Sequence, residues 1–80
     1  MAVNEKEKPE IVFEIKEHLG ILNEYNNGWT KELNVVAWND AAPKYDIRDW
    51  NKEHKHMSRG ITLHKDEMQK VFDLLSVRDI

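Results

Sequence analysis

An arginine and a tryptophan two positions apart, in Lys44-Tyr45-Asp46-Ile47-Arg48-Asp49-Trp50, offer the most chemistry in this 80-residue chain. Strand residues two apart share a face, so Arg48 and Trp50 project together. A guanidinium beside an exposed indole can hold a phosphate and stack the neighbouring base. Further on, Ser58-Arg59-Gly60-Ile61-Thr62-Leu63 sets a second arginine beside a glycine, where the missing side chain lets a phosphate approach the backbone. The chemistry expected is a grip on single-stranded nucleic acid.

Other groups with chemical potential are weaker. His54 and His56 form an H-x-H pair with His64 or Glu53 nearby, a spacing known from zinc sites. On a polar loop in a chain without cysteine they read as solvated or phosphate-contacting histidines, and no metal or cofactor is expected. No nucleophile motif, phosphate loop or carboxylate pair is present, so no enzymatic activity is expected.

The overall charge of −3 runs against a nucleic-acid partner, but its distribution does not. Residues 44–60 hold five bases against three acids, while residues 1–32 hold seven acids against four bases. The basic stretch carries Trp50, His54 and His56 as well. No apolar run approaches the roughly 20 residues of a membrane helix, and the charged N-terminus lacks a signal-peptide core. A cytoplasmic protein with no membrane partner is expected. A single domain this small buries roughly 60–65% of its unfolded surface and has no disulfide to help it, so self-association is the expected staple.

The elements that must position these groups follow from patterning. Residues 1–10 are polar and charged and read as a flexible tail; 11–80 form the domain. Ile11, Phe13 and Ile15 alternate as in a strand, and Gly20 marks a bend or bulge. A helix competes over 10–25, because Glu14, Lys16 and Glu17 are good helix formers. Asn26-Asn27-Gly28 favours a hairpin closed by a type I′ turn, with Trp29 packing beside it. A second strand over about 29–39 places Leu33, Val35 and Ala37 on the core face and Val36 and Trp38 on the other. After a turn at Asp40-Ala41-Ala42-Pro43, the third strand turns Tyr45 and Ile47 inward. A five-residue loop would set Asn39 across from Tyr45 and Trp38 across from Asp46, leaving both Trp38 and Trp50 on the face away from the core. A four-residue loop would flip one strand relative to the other. A short strand at 58–63 precedes a helix whose first turn holds Asp66 and Glu67, suited to the helix dipole. Met68, Val71, Phe72 and Leu75 form its buried stripe. Leu74, Val77 and Ile80 fall outside it and call for a partner, most simply a second copy on a two-fold axis. Four strands and a helix make an α+β domain.

Tyr45-Asp46-Ile47-Arg48-Asp49-Trp50 and Ser58-Arg59-Gly60-Ile61-Thr62-Leu63, in that order before an acidic helix start, resemble the single-stranded-DNA-binding domain of the transcriptional coactivator positive cofactor four, in particular its small bacterial YdbC-type relatives. Phe13-Glu14-Ile15-Lys16 is similar to that family's opening strand. The resemblance covers about 11–80. It implies a homodimer of strongly curved four-stranded antiparallel sheets, each followed by one C-terminal helix and joined largely through those helices: Met68, Val71, Phe72, Leu74, Leu75 and Val77 here. It also implies binding of single-stranded DNA with little sequence preference. Carried over residue by residue, it assigns nucleic-acid contacts to Arg48, Trp50, Arg59 and Trp38, and approximately to Lys16. Ser58 beside Arg59, and Lys31, Lys44 and Lys52 if the channel passes them, complete the expected set. The lysine-glycine-lysine turn of the eukaryotic protein is replaced by Asp40-Ala41-Ala42-Pro43-Lys44, and the long acidic regulatory tail is missing, so eukaryotic coactivation does not transfer. Partners in transcription, replication or repair machinery fit this resemblance; single-stranded RNA, or a peptide on a bare sheet face, are the competing ligands. A Trp50 in the interior together with an Arg48 tied to a carboxylate would remove the expected grip.

Overall fold

The computed structural model describes residues 12–78; the expected tail at 1–10, and the assignments of Ile11 and Ile80, lie outside them. Four strands, β1 (Phe13–Glu24), β2 (Thr30–Trp38), β3 (Lys44–Trp50) and β4 (Met57–Leu63), precede one helix, α1 (Lys65–Ser76). The strands pair in chain order as an antiparallel sheet, so the α+β expectation holds.

β1 is where the sheet acquires its curvature. Its twelve residues lie against nine of β2, and the excess is absorbed at shifts between Ile15 and Glu17, His18 and Gly20, and Ile21 and Asn23. Each bulge bends the strand and raises its twist. The bulge expected at Gly20 is therefore one of a series. Because of them, the side chains that share the face of Trp38, Val36, Asn34 and Glu32 are Phe13, Ile15, His18 and Ile21. That spacing passes from two residues to three.

The curl decides which face is covered. Val36, Trp50 and Asn34 are fully buried, and Glu32 and Asp46 nearly so; these five are the buried residues among those described. All lie on the face expected to be bare. Leu33, Val35, Ala37, Tyr45 and Ile47, expected as the core, are only half-buried. A flat sheet would need the helix to cover its apolar face, whereas this sheet closes over its own concave side. The expected core face is thus the convex one.

The hairpin turns also differ from expectation. Gly28 (φ 92°) alone is left-handed at the first turn, which closes from the Gly28 N–H to the Tyr25 carbonyl at 3.0 Å; it is not type I′. Two consecutive left-handed residues, Asn39 (φ 50°) and Asp40 (φ 67°), instead close the Ala41 N–H onto the Trp38 carbonyl at 2.8 Å, the pattern of a type I′ turn. Asn39 donates its N–H to the Val12 carbonyl (2.6 Å) and accepts from the Val12 N–H through Oδ1 (3.0 Å). Trp38 and Ala37 consequently pair with β1, and the β2–β3 ladder begins only at Val36 and Lys44. Tyr45 lies across from Val35 rather than Asn39. The displacement is even, so Trp38, Arg48 and Trp50 still share a face, as expected.

α1 is fixed at its start by the Glu67 carboxylate, which accepts the His64 N–H at 2.7 Å, one half of a capping box. Beyond that it is barely attached: none of its described residues is buried.

Candidate nucleic-acid interface

Gly60 sets the spacing of β3 and β4. It lies directly across from Arg48, and an added Cβ would overlap Arg48 Cβ and the Ile47 carbonyl oxygen. The neighbouring strand by itself requires this glycine. Next to it the β3–β4 ladder slips between Arg48 and Trp50. Ser58 is held at that slip, its Oγ accepting the Asp49 N–H at 3.1 Å and donating to the Arg59 carbonyl at 2.8 Å. Bulges re-aim side chains, and Arg59 here is exposed, with no ion pair among the described residues.

Arg48 is bound on every side. Its Nε donates to Asp46 Oδ1 at 2.6 Å and one terminal nitrogen donates to Asp46 Oδ2 at 2.8 Å. The other terminal nitrogen donates to the Ser58 carbonyl at 3.2 Å. Asp46 also accepts the Thr62 hydroxyl at 2.9 Å. The guanidinium carbon lies 4.6 Å from the Trp38 ring centroid, a cation–π contact, and the side chain is only 13% exposed. Phe13 packs on the same indole, ring centroids 5.8 Å apart. Trp38 Nε1 has no hydrogen-bond partner among the described residues, so Phe13 and Arg48 orient this ring.

Trp50 is the principal correction. It is fully buried, its ring centroid 5.2 Å from that of Phe13 and 5.5 Å from that of His54. Both conditions that would remove the expected grip are therefore met: Trp50 has no surface for a base, and Arg48 is committed to a carboxylate. What remains is an open groove of about 460 Å³ lined by Trp38, Asn39, Arg48, Met57, Ser58, Arg59 and Thr62. It brings together four of the expected residues, Trp38, Arg48, Ser58 and Arg59. Lys16 is outside it, paired with Glu14 at 3.3 Å, as are Lys31, Lys44 and Lys52. Asn39, Met57 and Thr62 went unrecognised in the sequence; Thr62 was two residues from Gly60, but its tie to Asp46 crosses strands.

A second polar cluster lies further along the concave face. Glu32 accepts from Thr30 Oγ1 (2.6 Å), Asn34 Nδ2 (3.1 Å) and His54 Nε2 (2.9 Å). Burial of Glu32 pushes its carboxyl upward, but the hydrogen bonds from Thr30, Asn34 and His54 and the attraction of His54 outweigh it and hold the carboxyl below its ordinary value. His18 Nδ1 meets Asn34 Oδ1 at 2.7 Å and lies 3.5 Å from Glu32. Asn51 builds the loop that delivers His54: its Oδ1 accepts the Lys55 and His56 N–H groups at 2.8 and 2.9 Å, with His54 left-handed at φ 60°.

Among the described residues no helix is long and apolar enough to cross a membrane. The family described as Transcriptional Coactivator p15 (PC4) matches residues 25–74, from the first hairpin turn into α1. An uncharacterized protein of Treponema pallidum (strain Nichols) is 38% identical over 64 residues, which span 80% of this chain and 75% of the relative. With β2, β3, β4 and most of α1 inside the matched region, this chain belongs to the Transcriptional Coactivator p15 (PC4) family.

Proposed function

We propose that this chain binds single-stranded DNA with little sequence preference, as a homodimer, in transcription regulation, replication or repair. The observation that carries it is the groove, where the half-covered Trp38 indole is oriented by a tilted Phe13 ring and by the Arg48 guanidinium, with the exposed Arg59 beside it. A base stacks on Trp38, worth about 1–3 kcal/mol, and a phosphate meets Arg59. Arg48 orients the ring and is no phosphate ligand. Lys44, Lys52 and Lys55 add to the positive field of the same stretch. Family membership supports the same ligand.

The homodimer is supported by α1. Phe72, Leu74, Leu75 and Val77 are 65%, 67%, 57% and 82% exposed, and the convex face beside the helix is only half-covered. A second copy would bury both.

Titration with oligo-dT at low salt, followed by tryptophan fluorescence, tests the ligand. Quenching is expected and should fall sharply in Trp38→Phe, because Trp50 is fully buried and Trp29 lies outside the groove. Arg59→Ala should flatten the dependence of log affinity on log salt by about 0.7, the share of one phosphate on a single strand. An absence of quenching in the parent protein ends this proposal. Equal-length RNA as competitor separates the two nucleic acids.

A further inference from the structure

Among the described residues, three of the five buried ones are polar: Glu32, Asn34 and Asp46. A chain this small gains little stability from buried carboxylates, whose desolvation offsets their pairing. Asp46 is accounted for by Arg48. Glu32 is not: it lies beneath two histidines from separate elements, His18 of β1 and His54 of the 51–56 loop. These three groups, with Ile15 and Ile21, line a cavity of about 290 Å³. A row of rings, Trp38, Phe13, Trp50 and His54, runs from the groove towards it in steps of 5.8, 5.2 and 5.5 Å.

The inner nitrogen of each imidazole is already committed. His18 Nδ1 must carry the hydrogen it gives to Asn34 Oδ1, and His54 Nε2 the one it gives to Glu32. When either ring is neutral, its outer nitrogen, His18 Nε2 or His54 Nδ1, is therefore an acceptor. Neither makes a hydrogen bond among the described residues. An acceptor beside an ionised carboxylate repels phosphate. A proton added to either ring goes to the outer nitrogen and turns it into a donor aimed away from Glu32. With both rings protonated, the cluster of His18, Glu32 and His54 changes from net negative to net positive.

From this geometry we infer that His18 and His54 form a second phosphate site for the bound strand, beyond the Trp38 groove, which opens on protonation and closes when both imidazoles are neutral. This rests on the single-stranded-DNA reading, since the phosphate is that of the strand already seated on Trp38. Glu32 keeps the two rings in place and keeps the site shut in their neutral state. It is a positioning residue.

The test uses the full chain and oligo-dT at constant ionic strength, comparing pH 8 with pH 5.5. Affinity should rise several-fold on acidification, because each protonated ring adds a charge-assisted hydrogen bond to phosphate. His18→Gln, at a half-exposed position, should lose much of that rise. His56→Gln and His64→Gln, which alter histidines outside the cavity, should keep it. Imidazole C2–H proton resonances provide a second readout that needs no substitution: the His18 and His54 midpoints should move upward when oligo-dT is added. Binding that does not change with pH, a rise that survives His18→Gln, or unmoved midpoints would overturn the second site and leave the Trp38 groove intact. Failure of oligo-dT to bind at either pH would overturn both.

Discussion

Replacing Arg48 with alanine should damage the fold far more than it changes the electrostatics of binding. The substitution removes two short bonds to Asp46 (2.6 and 2.8 Å), the bond to the Ser58 carbonyl and the contact with Trp38. Asp46, whose side chain is fully buried, is left with the Thr62 hydroxyl as its remaining side-chain donor. Breaking a buried pair in this way costs about 3–5 kcal/mol. At about 0.05–0.15 kcal/mol per residue, the 80 residues have only about 4–12 kcal/mol to lose. Urea unfolding at fixed protein concentration should therefore show a much lower midpoint for Arg48→Ala. The double variant Asp46→Asn with Arg48→Met should recover part of the loss, because it leaves no buried charge behind. A double-mutant cycle gives the coupling directly. If Arg48→Ala unfolds at the parent midpoint yet flattens the salt dependence of oligo-dT binding by about 0.7, then Arg48 is a phosphate ligand after all and its pairing with Asp46 is incidental.

Three further outcomes follow from the same geometry. Gly60→Ala should lower the melting temperature through a strain of about 1–3 kcal/mol, since its Cβ would overlap β3; Gly20→Ala, with nothing within 4 Å of its Cβ, should be neutral or slightly stabilising, and equal effects at the two sites would contradict the strand spacing. Phe72→Glu with Leu75→Glu should halve the sedimenting mass, whereas an unchanged mass would show that α1 is not the seam between copies. The Glu32 carboxyl is depressed on folding, so its contribution is fully present above its ordinary value of 4.5 and is lost as pH falls through the lower folded value; melting temperatures measured from pH 6 to pH 3 should drop less steeply for Glu32→Gln than for the parent, and parallel curves would rule out this source of acid lability.

The elements were legible because each rested on local chemistry. Alternation gave β2 and β3, the Arg59-Gly60 motif gave β4, and the acidic start with its apolar stripe gave α1. Side-chain parity along a strand is equally local, so Trp38, Arg48 and Trp50 were rightly set on one face even though the register was displaced. The turn chemistry was misplaced for a tertiary reason: Asn39 and Asp40 adopt left-handed backbone where Asn39 can bind Val12, just before β1, a partner 27 residues away.

Which face is inside was beyond local reading. Period-two patterning tells which side chains go together, but it does not say which group a sheet encloses. That was settled by the three register shifts of β1, which curl the sheet until Trp50 is sealed between Phe13 and His54 and Arg48 is pressed onto Asp46. The same curl leaves Trp38 half-covered and Arg59 outside, and so moves the candidate grip from the end of β3 to the rim between β2 and β4. Sequence alone determined which residues could do the chemistry; curvature, a sum of small bends along one edge strand, decided which of them a ligand can reach.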